Sequence, residues 1–469
     1  AAADHYLRAA GHAVEVGGSA DAFRLLTRAR KLLPADDRER RFQARRQREE
    51  ILGRMARRGE QLREIHNMRK DAEALADDGK LALAHCRLAQ FYIDVGKAPA
   101  ASRAVGPALE HARAAGDKLA EADALRLRAA IARLVGNNEE SLALSEEALA
   151  LCGDDRDGLL ERATILNNRG TTLWNMGRLV QASEAYAEAL VIYRALRLPR
   201  QEARALNNMG IIFASLGEFE EALAHYKSSL KIDQELGDRA SIALKLSNIG
   251  QAYGELGDLD RGERYLQRAL KIAEQTEEST SVVDVAISLG QLYLQAGRPR
   301  DGLALLDRGL QLATEFRDRY QEIRALEYIA LGQLDAGDPA EGALELARSA
   351  TELARKSTMT VGEVYGLCIQ GLALGKLGRA AEGLALTTQA VALLEHHRET
   401  EGAEHIQFMH ARLCLLAGRT VDATSALRAA WTEVQSKASR LRDAELRDIY
   451  LRSRVPAEIA AERGRLESP

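Results

Sequence analysis

The chain has 469 residues, of which 46% are hydrophobic, 29% are charged and only 4% are aromatic. Its 65 basic and 69 acidic residues give a net charge of −4, which argues against a dedicated nucleic-acid binder because such proteins usually carry a basic excess. The sequence holds no run of 18 apolar residues, so it predicts no membrane span. Four widely spaced cysteines without a C-x-x-C pair indicate reduced, mostly buried thiols in a cytoplasmic protein. Abundant Ala, Leu, Glu and Arg with only 8 prolines favour an all-α chain.

Residues 1–34 and 36–79 predict two irregular helix pairs at the start of the chain, with Gly18 and Gly59 as their turns. The segment from Arg38 to Lys70 holds 12 basic and 5 acidic residues, with apolar residues at roughly helical spacing. This pattern favours an amphipathic helix pair with a solvated basic face. A docking surface for an acidic partner domain, or less favourably for nucleic acid or membrane, is the alternative. The oligomeric state stays open, and residues 36–79 are a candidate surface for pairing two chains.

A helix pair recurs about every 40 residues from residue 80 to residue 435. Apolar side chains fall at helical spacing on both sides of a glycine, and a glycine ends the first helix because it adopts a left-handed backbone at least cost. Small residues such as Gly210, seven positions before the turn glycine, predict that two helix backbones approach closely. Gly116, Gly153 and Gly237 predict the ends of second helices, and residues 436–469 predict a capping helix and tail. The turn glycines of the regular pairs are Gly96, Gly136, Gly177, Gly217, Gly257, Gly297, Gly337, Gly378 and Gly418.

The order of small residue, large residue, turn glycine and small residue resembles the tetratricopeptide repeat, with periods near 40 residues in place of the usual ~34. The resemblance is strong over residues 80–435 and makes residues 1–34 a divergent repeat. It implies a right-handed superhelical solenoid of about eleven antiparallel helix pairs followed by a short terminal helix. It also implies that the first helix of each pair lines a concave groove.

Both ends of the chain are similar to the C-terminal repeat region of large bacterial signalling proteins. In those proteins a Ser/Thr kinase or cyclase domain and a STAND-type ATPase precede the repeats, and a D-x-x-L-R-x-x-(F/Y)-L-x-x-V-P stretch ends them. Here that stretch runs from Asp443 to Pro456, with three residues instead of two before Val455. The resemblance implies that the chain is the sensory C-terminal part of such a protein, and a stand-alone adaptor or assembly scaffold is the alternative.

Asparagines recur in register in three successive repeats, which read LNNRG, LNNMG and LSNIG. Asparagine is a poor residue for a helix interior, so its repetition there requires a reason. The positions resemble those of Pins/LGN-type adaptors, which implies that the amides hold the backbone of a partner peptide in the groove. The alternative is a structural ladder in which each asparagine bonds the neighbouring helix. Trp174 lies beside these residues and could stack on a ligand, and packing within the protein is the alternative for it. The predicted peptide- or partner-binding residues are Asn167, Asn168, Asn207, Asn208, Asn248, Gln251, Gln291, Asn175, Trp174 and Arg204.

Motifs for catalysis are missing from the sequence, which has no GxxxxGK[ST], HExxH or GxSxG. His396, His397, His405 and His410 lie near one junction between repeats, where solvated helix ends are favoured over a metal site. The sequence therefore predicts a non-catalytic module without cofactor or metal. Its partner is a peptide or a protein domain, including a kinase or ATPase domain of its own protein, and the sequence leaves open whether the groove holds an extended peptide or a helix.

Overall fold

The computed structural model describes residues 2–15, 19–34, 36–55, 57–275, 279–357, 359–395 and 402–467, which form α-helices and no strand. Gly18, His396 and His397 lie outside these residues. The chain divides into two compact units, Ala1–Gln201 and Glu202–Pro469. The helices are α1 (Ala2–Glu15), α2 (Ser19–Leu32), α3 (Arg38–Arg54), α4 (Arg58–Leu75), α5 (Asp78–Asp94), α6 (Ala98–Ala114), α7 (Lys118–Leu134), α8 (Asn138–Leu151), α9 (Arg156–Asn175), α10 (Leu179–Ala195), α11 (Pro199–Ser215), α12 (Phe219–Leu236), α13 (Arg239–Glu255), α14 (Leu259–Gln275), α15 (Ser279–Gln295), α16 (Pro299–Phe316), α17 (Arg319–Ala336), α18 (Ala340–Lys356), α19 (Thr360–Lys376), α20 (Ala380–Glu395), α21 (Ala403–Leu416), α22 (Thr420–Arg440), α23 (Ala444–Arg452) and α24 (Arg454–Glu467).

The first unit is a row of helix pairs, α1 to α10. Each helix contacts the one that follows it, and the first helix α7 also contacts the first helices α5 and α9 of the neighbouring pairs. Packing of this kind is typical of a solenoid, in which each repeat contacts its neighbours. The pair α3 and α4 occupies the arginine-rich segment.

Two arginines of that segment are buried in ion pairs within the pair. Arg45 bonds Asp71 at 2.6 Å and Glu64 at 3.2 Å, and Arg48 bonds Glu64 at 3.0 Å. All four side chains are buried. These arginines therefore do not belong to a solvated basic face, because their charges are matched by acids of the facing helix.

The second unit contains α11 to α22, which are six further pairs, followed by α23 and α24. First helices of neighbouring pairs contact each other from α13 to α21. The eleven pairs of the two units confirm the all-α solenoid of tetratricopeptide type, whereas the handedness of the superhelix and the segment limits at 34, 79 and 435 stay predictions. Two terminal helices follow the pairs instead of one. The chain is extended at Ser453 and α24 restarts just before Pro456, because proline is tolerated in the first turn of a helix but not in its interior.

Glycine positions follow the prediction in the regular pairs and depart from it in two others. The turn glycines from Gly96 to Gly418 have positive φ, as do Gly116 and Gly237. Gly59 lies in the first turn of α4 because the connection from α3 ends earlier, and Gly153 lacks a left-handed backbone. The glycines seven positions before the turn do mark close approach: a Cβ atom on Gly210 would lie 2.5 Å from Cε1 of Tyr226.

Candidate functional site

The first helices α11, α13, α15 and α17 of the second unit carry three groups of hydrogen-bonded polar side chains, here together called the polar row. It begins with Asn207 and Asn248, which are one repeat apart. The Asn248 amide nitrogen donates to the side-chain oxygen of Asn207 at 2.8 Å. Asn207 is 5% exposed and Asn248 is half-buried, so the bond joins a buried amide to one that reaches the surface. This contact is of the kind that a structural ladder makes.

The polar row continues through Ser247 and Asp284, which the sequence analysis did not single out. The Ser247 hydroxyl donates to Oδ2 of Asp284 at 2.8 Å and accepts from Nε2 of Gln251 at 3.1 Å. From α17, Gln321 and Arg324 donate to Oδ1 of Asp284 at 3.0 and 3.3 Å. Asp284 is therefore the acceptor that connects three successive first helices.

A signal for part of this network was present in the sequence. Arg204, Leu244, Asp284 and Arg324 stand 40 residues apart, at one position of successive first helices. Arg204 is exposed, Leu244 is 41% exposed, and the other two are half-buried. Opposite charges in equivalent positions of adjacent repeats predict ion pairs across the first helices.

Gln291 extends the row on α15. Its Nε2 donates to Oε1 of Glu255 on α13 at 3.3 Å. Both residues are half-buried, so their remaining hydrogen-bonding capacity lies near the surface. Asn208, on α11, is also half-buried and has a polar partner of its own.

Four of the predicted binding residues lie in the first unit, on α9. Asn167 is buried and has a polar partner, whereas Asn168 is half-buried. Trp174 is 38% exposed and Asn175 is exposed. These four residues are the predicted binding residues of the first unit, whereas the polar row lies in the second unit.

A buried carboxyl group lies beside the polar row. Glu327 occupies the position in α17 that Asn207 occupies in α11 and Ser247 in α13. It is 7% exposed, and its Oε1 is a buried atom without a hydrogen bond. Burial raises the pKa of Glu327 well above its usual range, and the nearby Arg324 guanidinium opposes this rise.

The structure describes two of the four histidines near the last junction between repeats, His405 and His410. His410 lies 2.9 Å from the Thr387 hydroxyl, and burial lowers the pKa of both His405 and His410. Over the described ranges, no three His, Cys, Asp or Glu side chains are grouped so that they could hold a metal ion. In the same ranges, no helix is both long and apolar enough to cross a membrane.

Comparison with known proteins gives a family match and several similar structures. A sequence model of the tetratricopeptide repeat matches residues 161–235 and 241–315. A Rap protein complexed with competence and sporulation factor has a TM-score of 0.58 and 16% identity, and the match covers 78% of this chain and all of that one. The apo form of the quorum sensor NprR from B. thuringiensis has a TM-score of 0.54 and 14% identity, with 74% and 99% of the two chains covered.

A third similar structure belongs to a larger protein. It is the STAND signal-transduction ATPase with a tetratricopeptide-repeat sensor from Pyrococcus horikoshii, at a TM-score of 0.52 and 13% identity. The match covers 75% of this chain and 52% of that protein. No curated protein matches the chain in sequence. At these identities the structural likeness shows the fold, and the sequence model identifies tetratricopeptide repeats in residues 161–235 and 241–315.

Proposed function

We propose that the chain is a non-catalytic regulatory module that binds a peptide or a partner protein along the polar row of its second unit. The observation that carries this proposal is the placement of amide, carboxyl and guanidinium groups on successive first helices, spaced by the repeat. An extended peptide offers donors and acceptors along its length, and a row of such groups can bind it without one large pocket.

The internal bonds of the polar row support binding because they hold the side chains in place before a ligand arrives. The bond from Asn248 to Asn207 uses one of the two amide hydrogens of Asn248 and leaves its oxygen able to accept. Gln291 likewise uses one hydrogen on Glu255. Side chains that are already ordered lose less conformational entropy when a ligand binds.

The similar structures guide the proposed biological context. The Rap structure contains competence and sporulation factor, NprR is a quorum sensor, and the STAND protein is a signal-transduction ATPase with a repeat sensor. We propose that this chain likewise reports a peptide or protein signal and acts on a kinase, cyclase or ATPase domain of its own protein. Ligand binding would act by shifting the population between docked and released arrangements of that domain.

The test begins with peptides selected from a random display library against the full chain. Their dissociation constants are then measured for the wild type and for the triple variant Asn248→Ala/Gln251→Ala/Gln291→Ala. Each lost hydrogen bond is worth about 0.5–1.5 kcal/mol, so the loss of two or more should weaken binding by roughly fivefold or more. Gln234→Ala is the control, because Gln234 is exposed and lies on α12, the second helix of its pair.

We expect the control variant to bind within about twofold of the wild type, a difference well under 1 kcal/mol. Circular dichroism must show equal helix content for all three chains. Peptides that bind the triple variant as tightly as the wild type would show that the polar row is only a structural ladder.

A further inference from the structure

Residues near the end of the sequence fold back onto repeats 119 to 224 positions earlier. We call residues 441–467, which comprise α23, α24 and the link from α22, the clasp. At its start, the backbone nitrogen of Asp443 donates to Oε1 of Glu220 at 2.7 Å. Arg442 forms ion pairs with Glu220 and Glu221, and the neighbouring Arg440 donates to the backbone oxygen of Leu216. These contacts lie at the turn between α11 and α12.

Further along, the clasp reaches the next three pairs in order. At the turn between α13 and α14, Arg261 pairs with Glu445 at 3.6 Å, and Gly257 is so close to Ser453 that a Cβ atom would collide with it. Arg454 then bonds both carboxylate oxygens of Asp335, at the end of α17, at 2.8 and 3.2 Å. Its guanidinium also donates to the backbone oxygen of Leu294 at the end of α15.

Apolar side chains anchor the clasp between these polar contacts. They are buried in one hydrophobic core with residues of the repeats, including Tyr253, Leu256 and Leu292. The clasp therefore presents an amphipathic helical surface, with Arg442 near the start of an apolar stripe and Arg454 near its middle. Its buried apolar members are Leu441, Leu446, Tyr450 and Ile459.

We propose that the surface under the clasp is a binding site for an amphipathic helix that carries arginines, and that the clasp is its intramolecular occupant. The site, here called the clasp surface, is formed by the acids Glu220, Glu221 and Asp335 and by the apolar core between them. A partner helix of the same chemistry binds there by displacing the clasp. The clasp helices α23 and α24 also pack on α22, the second helix of the last pair.

One physical feature favours the exchange and a second limits it. The ion pairs of Arg442 and Arg454 are partly exposed, since the side chain of Arg442 is 76% exposed and that of Arg454 is 44% exposed. Exposed pairs are weak individually and are screened by salt. Because the clasp is tethered, it acts at a high effective concentration, so a partner in solution binds measurably only when the clasp is loosened.

The experiment uses the full chain and a fluorescent synthetic peptide of residues 439–467. Arg454→Glu removes the pair with Asp335 and should raise the hydrogen exchange of residues 441–467, and the peptide should bind this chain at least tenfold more tightly than the wild type. Arg452→Glu is the matched control, because Arg452 is 79% exposed and its ion pair is with Asp448 of the same helix. The charge swap Arg454→Glu/Asp335→Arg should restore wild-type exchange and weak binding.

Several results would overturn the proposal. If Arg454→Glu and Arg442→Glu both leave the hydrogen exchange of the clasp unchanged, its end contacts do not hold it. If the clasp is released but the peptide does not bind, the surface is not a separable site. If release removes helix content from the repeats, the clasp is an inseparable part of the fold.

This inference does not rest on the polar row. The triple variant Asn248→Ala/Gln251→Ala/Gln291→Ala leaves the clasp contacts intact, so it should respond to the clasp peptide as the wild type does. Loss of library-peptide binding alone would concern the polar row, and loss of clasp-peptide binding alone would concern the clasp surface.

Discussion

Replacing Gly170 with alanine tests whether the small residues of the first helices exist to admit a second helix. Gly170 lies in α9 and faces Tyr186 of α10. A Cβ atom at Gly170 would lie 2.8 Å from Cε1 and 2.9 Å from Cζ of the tyrosine ring. Favourable contacts between carbon atoms occur at about 3.5–4.0 Å, so the ring or the backbone has to move.

The tyrosine ring has little freedom to give way. Tyr186 is buried, and its hydroxyl lies 3.0 Å from the Thr171 hydroxyl, which fixes the far end of the ring. Overpacking of this kind costs about 1–3 kcal/mol. Alanine also favours the helix by roughly 1 kcal/mol relative to glycine, so the net loss in Gly170→Ala is smaller than the packing cost.

Gly11→Ala is the control that removes the helix-propensity effect. Gly11 lies inside α1 of the same unit, is exposed, and has no side chain or neighbouring element within 4 Å of its ideal Cβ position. This variant should gain about 0.5–1 kcal/mol, because it receives the propensity benefit without a collision. The two substitutions should therefore differ by about 1–3 kcal/mol, which is the packing cost alone.

Urea unfolding followed by circular dichroism measures the difference. The midpoint of Gly170→Ala should fall below that of Gly11→Ala. In a Tyr186→Val background, Gly170→Ala should lower the midpoint by less than it does in the wild type, because valine leaves room for the new methyl group. In the pair α5 and α6, Ala89 and Val105 occupy the positions of Gly170 and Tyr186, so a small second residue there already accompanies alanine. Equal midpoints for the two single variants would refute the close-approach explanation of the glycines.

Two further predictions concern buried charges. Glu64→Gln leaves Arg45 and Arg48 without their shared carboxylate, and breaking a buried pair of this kind costs about 3–5 kcal/mol. The control is Glu73→Gln, because the side chain of Glu73 is 53% exposed. It should cost less than about 1 kcal/mol in the same unfolding assay. Glu327 has a raised pKa in the folded chain, so the folded state binds more protons and stability falls as the pH rises above the usual value of 4.5. Glu327→Gln should therefore melt at a higher temperature than the wild type at pH 8 and lose this advantage near pH 4. A melting difference that does not change with pH would contradict the assignment of the buried carboxyl.

The repeat architecture could be predicted from sequence because its determinants are local. A helix pair needs an apolar period, a turn and a close contact, and all three lie within about 40 residues. The left-handed turn at Gly217 and the packing of Gly210 on Tyr226 follow from that local pattern. Gly59 departed from it because the connection between α3 and α4 ends before the glycine, and spacing alone does not set the position of a helix start.

The polar contacts of the site were only partly predictable. Asn207 and Asn248 were found through their repetition, but their bond to each other was one of two alternatives. Asp284 was not predicted as a site residue, because a single aspartate in a helix is common. It occupies the same repeat position as Arg324, and that opposite charge predicts the ion pair between them. The buried pairs of Arg45 and Arg48 could not be assigned, since twelve basic residues in one segment offer many possible partners.

The clasp shows why a solenoid sequence does not reveal all of its contacts. In a simple repeat array each repeat touches its neighbours, so stability is close to a sum of local terms and parts of the array can unfold separately. The clasp connects Arg442 with Glu220 and Arg454 with Asp335, which are 222 and 119 positions apart, and repeat periodicity carries no information on such pairs. Its closure couples the turn between α11 and α12 to the end of the second unit, so opening one repeat also costs the clasp contacts. A ligand that displaces the clasp would therefore change the cooperativity of the whole second unit, which gives a local binding event a long-range consequence.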